Sequence, residues 1–441
     1  MSRPTISHSS ILFGLALAAC GDPAQQASLD GSVTDAGALD PPSPGYTLFA
    51  PMASTTTYLL DLDGHVVHHW ASAYRPALAA ALADDGTLVR TANPLAANAT
   101  HPIEGGGAGG RVEALDWDGN VVWSVELLSD TTRQHHDLEL LPNGHVLAIV
   151  WESVTEAEAI ALGRADTRVD ARGLYLESVV ELARTGSTAD VVWSWHAKDH
   201  LGTGARRIDV DGGGTAPDFV HLNSVDYDAT LDLVLLSSHA FGEVWAIDHG
   251  TTTAEAAAST GGARGLGGDL VYRWGNPGSY GAGTSTDTKL FGQHDASFVR
   301  REDGSVGVLV FNNGQRRPDG AYSSVDKLTL PVEADGSLAF DGVRFGPEAL
   351  DSSWVADPPT SYYAQNLSSA SRLPGGHTLL CNGTAGRFDE LDAAGRIVWS
   401  YAMPAFGSGA NATLVFRADR LPLDHPGLAG RSLADEGPLV P

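Results

Sequence analysis

Leu115-Asp116-Trp117-Asp118-Gly119-Asn120-Val121-Val122-Trp123 reads as a strand, a turn built on Asp and Gly, and a second strand closing on Trp. Apolar runs on either side of an Asp-Gly pair are a hairpin signal, because tight turns need a left-handed backbone that Gly supplies without strain. The unit returns along the chain. Leu60 to Val67 turns at Asp63-Gly64 and leads to Trp70. Glu181 to Gly186 leads to Val191-Val192-Trp193, and Glu390 to Val398 leads to Trp399. Ala246-Ile247-Asp248 opens a fifth copy, which closes at Leu270 to Trp274 after a Gly- and Ala-rich insertion. Val325-Asp326-Lys327-Leu328 opens a sixth, with Asp335-Gly336 as a later turn and no closing Trp.

A second element recurs in step: a polar signature, then an apolar strand. It is Gln134-His135-His136-Asp137 before Leu138 to Leu147, and His221-Leu222-Asn223-Ser224 before Leu235 to Ser238. It is Gln293-His294-Asp295 before Val310 to Gly314, and Ser369-Ala370-Ser371 before Thr378 to Leu380. Ala79 to Val89 has the strands without the polar head. Repeats of about four short strands at a period of tens of residues predict an all-β, six-bladed β-propeller over 46–428, with 429–441 as a tail. A sandwich of sheets does not explain the recurrence. A C-terminal strand near Thr413 to Phe416 is expected to join the first blade and close the ring. Thr155 to Leu162 is the best short helix.

The net charge of −27, from 27 Lys+Arg against 54 Asp+Glu, argues against nucleic acid, since phosphate recognition needs clustered cations. Lys occurs only at Lys198, Lys289 and Lys327, so no polybasic patch meets an anionic membrane. Arg3, the apolar run Ile11 to Ala19 and then Cys20 read as a signal peptide over 1–19. Leu17-Ala18-Ala19-Cys20 reads as a lipobox, with lipidation at Cys20, a tether over 20–45 and a location at the cell envelope. Cys381 is then the only free thiol of the mature chain.

Inner strands of a propeller line its axis, so His136, His221 and His294 are expected to converge there. Converging imidazoles could transfer protons, bind an anion or hold a metal. The bland alternative is that a repeated His-Asp pair only ties neighbouring blades together. His239 could also reach the channel, whereas His145 and His377 follow turns and are expected at the surface. Arg316 and Arg317 could bring a guanidinium to the same mouth, suited to an oxyanion. The run Gly105 to Gly110 lacks the Gly-Lys-Ser/Thr ending of a phosphate loop and reads as a flexible loop. No motif implies a cofactor.

The segments from His221 through Asp248, Gln293-His294-Asp295, Phe311-Asn312-Asn313-Gly314 and Ser369 through Trp399 resemble the bacterial arylsulfotransferase family. The resemblance spans about Tyr46 to Leu428. It implies a six-bladed propeller that moves a sulfuryl group from a phenolic sulfate ester to a phenol through a sulfated histidine. It implies that His221 and His294 stabilise or protonate the group in transfer and that Arg317 binds sulfate, with Arg316 as the alternative. Asn223 and Asn313 are expected to bind substrate, and His136 to share the channel chemistry. The family's sulfated histidine belongs in the last repeat, where Cys381 to Phe388 contains none. The separate N-terminal sandwich of the well-known enzymes is also missing, so the chain reads as a monomer. A non-catalytic binding propeller and a metal-dependent hydrolase or lyase remain as alternatives.

Overall fold

The computed structural model describes residues 39–96, 99–214, 217–301 and 303–441, within one compact unit, Leu39–Pro441. The leader, Cys20 and the tether as far as residue 38 lie outside the described residues. Six antiparallel sheets make the fold, and blade III carries a short fifth strand, Leu128–Ser129, beside the usual four. The innermost strand is Val415–Leu421 in blade I, Arg75–Leu82 in II and Thr132–Leu140 in III. It is Leu222–Asp228 in IV, His294–Arg300 in V and Ser369–Arg372 in VI. Each packs against the next around the axis, and the last returns to the first. Blade I closes the ring by pairing the C-terminal strand with the first strand, Thr47 opposite Arg420.

The turns form for the reason their sequence suggests. The Asp116 carboxylate accepts the backbone N–H groups of Asp118 (3.0 Å) and Asn120 (2.8 Å), and Gly119 takes φ +83°. Asp392 does the same for Ala394 and Arg396, with Gly395 at φ +79°. An Asx turn of this kind satisfies the backbone and fixes the register of the strands it joins.

The repeated Trp has an inter-blade purpose. In blade V it is Trp354, on the outer strand Ser352–Val355, whose indole N–H bonds Gly395 O of blade VI at 2.9 Å. Trp399 of blade VI likewise bonds Leu62 O of blade I at 2.8 Å. The sixth unit therefore does close on a Trp, which the sequence reading missed because a long insertion separates it from Thr329. The core lies between blades. Leu147, Ile149, Val179 and Trp195 of blade III meet Val225, Val234 and Trp245 of blade IV. Truncating a Trp as deeply buried as Trp245 costs about 3–5 kcal/mol.

The predicted helix is present at Glu156–Ala161, started by a Thr155/Glu158 capping box. Ser43 is buried, its N–H bonded to Glu390 and its carbonyl to Arg420. The 429–441 segment returns along blade I, where Val66 N–H bonds Gly437 O at 2.9 Å. Among the described residues, no helix is long and apolar enough to cross a membrane.

Candidate functional site at one mouth of the axis

The polar signature divides into two structural parts. Its carboxylates and small polar residues clasp blades together. Asp137 accepts Val225 N–H of blade IV (3.1 Å), and Asp295 accepts Ala370 N–H of blade VI (2.9 Å). Ser224 accepts Ala296 N–H of blade V at 3.0 Å. Asp137 and Asp295 also hold Arg417 of blade I, at 2.6 and 2.8 Å, across the axis. The bland reading of the repeated Asp is thus the right one.

The imidazoles do something else. His136, His221, His239 and His294 form an arc, with successive ring centroids 4.8, 5.0 and 5.6 Å apart. His221 and His294 stand at the start of their inner strands, His136 at the bulge within Thr132–Leu140, and His239 just after the neighbouring strand Leu233–Ser238. A regular strand alternates its side chains between faces, which would split this cluster. Bulges break the alternation. Three residues of blade III, 135 to 137, stand opposite one partner, and two of blade V, 295 and 296, do the same. His136 and His221 take φ +50°, and Asp295 +52°. Such positive φ is rare for residues other than Gly and marks a locally enforced geometry.

Each imidazole has a distinct setting. His294 Nδ1 lies 2.8 Å from Asn313 Oδ1 and 3.2 Å from Gly292 O. The Asn313 amide is itself fixed, its NH₂ donating to Ala364 O and Leu367 O at 2.9 and 3.0 Å. Its oxygen must therefore accept, so His294 carries its proton on Nδ1 and turns a bare Nε2 to the mouth. Burial, aided by the His221 charge and opposed by the Asn313 bond, brings His294 down to about 4, leaving it neutral. His221 is the reverse case. Burial lowers it, but Asp218 Oδ2, 2.5 Å from its Nδ1, outweighs burial and the net shift is upward. It is the group most inclined to hold a positive charge here. Burial and the His221 charge bring His239 down to about 2.

The other predicted residues separate. Asn223 is buried and donates to Gln293 O at 2.7 Å, and Asn313 bonds His294, Ala364 O and Leu367 O. Arg317 does not reach the imidazoles. It is sandwiched between Phe291 and Tyr322 and bonds Ser324 Oγ at 2.8 Å, in a groove with Lys289 and Asp326. Arg316 is exposed, near enough for its charge to depress His239, and takes φ +59°. Of the two guanidinium groups, Arg316 is the one whose charge reaches the imidazole arc. His377 is buried against Glu390 (2.8 Å), contrary to the surface expectation, whereas His145 stays partly exposed and is held by Glu181 (2.5 Å).

Several participants escaped the sequence reading. The Gly105 to Gly110 loop is packed against the site. A Cβ on Gly107 would fall 2.6 Å from three atoms of the His136 ring, and one on Gly105 2.7 Å from Trp151. Glu177 and His135, the latter only a weaker candidate in the sequence, lie behind His136, and Asp218 lies behind His221; the spacing of Asp218, three residues before His221, offered a signal and Glu177 none. Cys381, beside the segment without the expected histidine, packs in the core with Leu379, Phe388 and Met403. Among the described residues, no three His, Cys, Asp or Glu side chains converge to hold a metal.

These features define a class: a six-bladed propeller with an imidazole cluster and an exposed guanidinium at one mouth of its axis. The arylsulfotransferase (ASST) family model matches residues 47–329, and the chain belongs to that family. The matched region includes all four imidazoles of the arc and ends before blade VI, where the family's sulfated histidine was expected. No curated protein matches the sequence. Among solved structures, the chain is similar to a protein of unknown function from Bacteroides caccae, at 11% identity and TM-score 0.45 over 82% of this chain and 94% of that one. It is similar to virginiamycin B lyase from Staphylococcus aureus, at 9% identity and TM-score 0.40 over 82% and 83%. It is also similar to the periplasmic gluconolactonase of Pseudomonas aeruginosa, at 14% identity and TM-score 0.40 over 81% and 95%.

Proposed function

We propose that this protein transfers a sulfuryl group from an aryl sulfate to a phenol at the imidazole mouth, with His294 as the nucleophile. The observation that carries the reading is the fixed tautomer of His294, a neutral ring whose Nε2 lone pair is left unbonded among the described residues. Nε2 attacks sulfur, the S–N bond forms, and the S–O(aryl) bond breaks with its electron pair going to the aryl oxygen. An acceptor phenol then attacks the same sulfur and the S–N bond breaks, its pair returning to Nε2. Two half-reactions through a covalent intermediate give ping-pong kinetics. His221, whose affinity for a proton Asp218 raises, and Arg316 supply positive charge for the sulfonate oxygens, where fixed donors act most strongly away from water. The reading also answers the missing histidine of blade VI, since blade V supplies one. Lipidation at Cys20 would hold this activity at the cell envelope.

The test is release of nitrophenol from its sulfate ester, accelerated by added phenol. His294→Ala is expected to abolish it. Peptide mass spectrometry of protein quenched with donor alone is expected to find one sulfuryl group on the His294 peptide. No phenol-dependent release by folded wild-type protein, across a panel of donors and acceptors, overturns the reading.

A further inference from the structure

Behind His136 lies a line of hydrogen bonds that leaves the mouth and ends in the core. Glu177, on the third strand of blade III, is fully buried. Its Oε2 lies 2.7 Å from His135 Nε2, and its Oε1 accepts the Leu222 N–H at 2.9 Å. His135 Nδ1 lies 2.8 Å from His136 Nδ1. The His136 Nε2 is left for the mouth. Two neighbouring residues of a strand can bond in this way only because the bulge and the positive φ of His136 place both rings on one side. His135 is locked as well, stacked on the Trp151 indole at 3.9 Å and 6°. An imidazole can take a proton on one nitrogen while giving one from the other. Two in series make a path.

We propose that Glu177 is a buried proton reservoir for the transfer, exchanging one proton with the mouth through His135 and His136. The proposal rests on the sulfuryl-transfer reading. In the first half-reaction, Glu177 Oε2–H passes its proton to His135 Nε2, and His135 Nδ1–H passes one to His136 Nδ1. His136 Nε2–H protonates the aryl oxygen as the S–O bond breaks, and Glu177 is left as a carboxylate. In the second, the acceptor phenol gives its O–H proton to His136 Nε2 as its oxygen attacks sulfur. The path runs backward and Glu177 is protonated again. One proton is lent and returned per turnover. His135 and Glu177 act through His136 and are positioning residues for it.

The electrostatics agree with this starting state. Burial first, and the Asp218 charge second, push Glu177 well above the usual carboxylate range, against the Leu222 hydrogen bond. Burial and the His221 charge hold His135 and His136 well below the usual imidazole range, so both rings are neutral. The charged and titratable neighbours are Arg133 and Glu152 of blade III, Asp218 and His221 at the entry to blade IV, and His239 and His294 beyond. Arg133 is itself occupied, by Gly109 O, Ile103 O and Glu104.

Glu177→Gln keeps the shape and the bond to His135 but has no proton to lend. The measurement is the dependence of rate on leaving group, in wild type and variant. Nitrophenyl sulfate, whose phenolate leaves unaided, is expected to change only a few-fold. Phenyl sulfate, which needs the proton, is expected to slow by about 10²-fold, the lower end of general-acid effects. Equal losses for both donors, or none, overturn the proposal. His135→Phe keeps the stack on Trp151 while cutting the path and is expected to behave alike, so the test survives if one variant fails to fold. Infrared difference spectra of the two Glu177 forms separate the proposal from the reading beneath it. A protonated-carboxyl band present in wild type and lost in Glu177→Gln supports the reservoir, and where transfer is absent the fault then lies with the sulfuryl reading. A carboxylate at Glu177 in resting wild type overturns the reservoir whatever the activity.

Discussion

Asn313 determines which nitrogen of His294 is protonated while donating nothing to the mouth itself: its oxygen takes the Nδ1 proton at 2.8 Å and its nitrogen is tied to two carbonyls. Replacing it by Leu removes the acceptor and releases the ring to adopt the other tautomer. The expected outcome is a fall in kcat of about 10²–10⁴-fold, the range for losing a correctly placed or correctly protonated imidazole. The two freed carbonyls add about 1–3 kcal/mol each of instability where they stay buried without a partner. Steady-state kinetics beside urea unfolding separates the two effects.

Gly107 and Gly106 make a matched pair. Gly107 has φ +77° and lies against the His136 ring, whereas a Cβ on Gly106 would have the His221 ring 4.0 Å away. Gly107→Ala is expected to displace His136 and cut kcat/KM by about 10²-fold, as misplacement by an ångström does. Gly106→Ala is expected to stay within a few-fold of wild type. Equal behaviour of the two would show that the loop does not set His136.

Arg417 is the cation between the Asp137 and Asp295 clasps. Arg417→Met leaves both carboxylates buried without their partner. Breaking one side of a buried ion pair costs about 3–5 kcal/mol, and chemical denaturation is expected to show a loss of that order. Adding Asp137→Asn and Asp295→Asn is expected to restore part of it.

Further along the axis, Asp419 is pushed up to about 7, by burial first and by Asp295 and Asp137 next, against Arg417. Asp226 rises to about 7 as well, chiefly by burial. A carboxyl raised above its unfolded value of about 3.9 binds its proton more tightly in the native state. Its contribution is full below about pH 4 and is lost as pH rises to about 7. The neutral imidazoles act with the opposite sign, since His294 and His239 disfavour the native state as pH falls below about 6.5. The difference between parent and variant isolates the carboxyl. Asp419→Asn is expected to gain stability relative to the parent as unfolding is measured from about pH 5 to about pH 8. Parallel curves would mean that Asp419 titrates normally.

Cys381 is fully buried, and burial pushes its thiol well above the usual value. Alkylation under native conditions is expected to be negligible and to rise together with unfolding, as followed by mass spectrometry.

The blades were legible because the information is local. An Asp, a Gly two or three residues later and a Trp after the second strand describe a complete hairpin and its clasp. The convergence of His136, His221 and His294 followed from their common place in the polar signature carried by the inner strands. What escaped depended on backbone torsion and long-range pairing. Nothing in His135-His136 announces that its second residue adopts φ +50°, and that torsion turns two adjacent imidazoles into a hydrogen-bonded pair. Glu177 meets His135 only through the pairing of three strands. Arg316 and Arg317 differ by one residue, yet Arg317 is held between Phe291 and Tyr322 while Arg316, at positive φ, is exposed and its charge acts on His239.

The inner strand of blade I is the last strand of the chain, and Arg417 sits on it. During synthesis, Asp137 and Asp295 are made long before Arg417, the cation that spans them at the axis among the described residues. A chain interrupted before residue 415 would contain every imidazole of the arc and yet have an open ring with two acidic clasps facing one another uncompensated. Addition of the Val415–Leu421 strand is therefore the step that closes the ring of blades and brings a cation to both clasps.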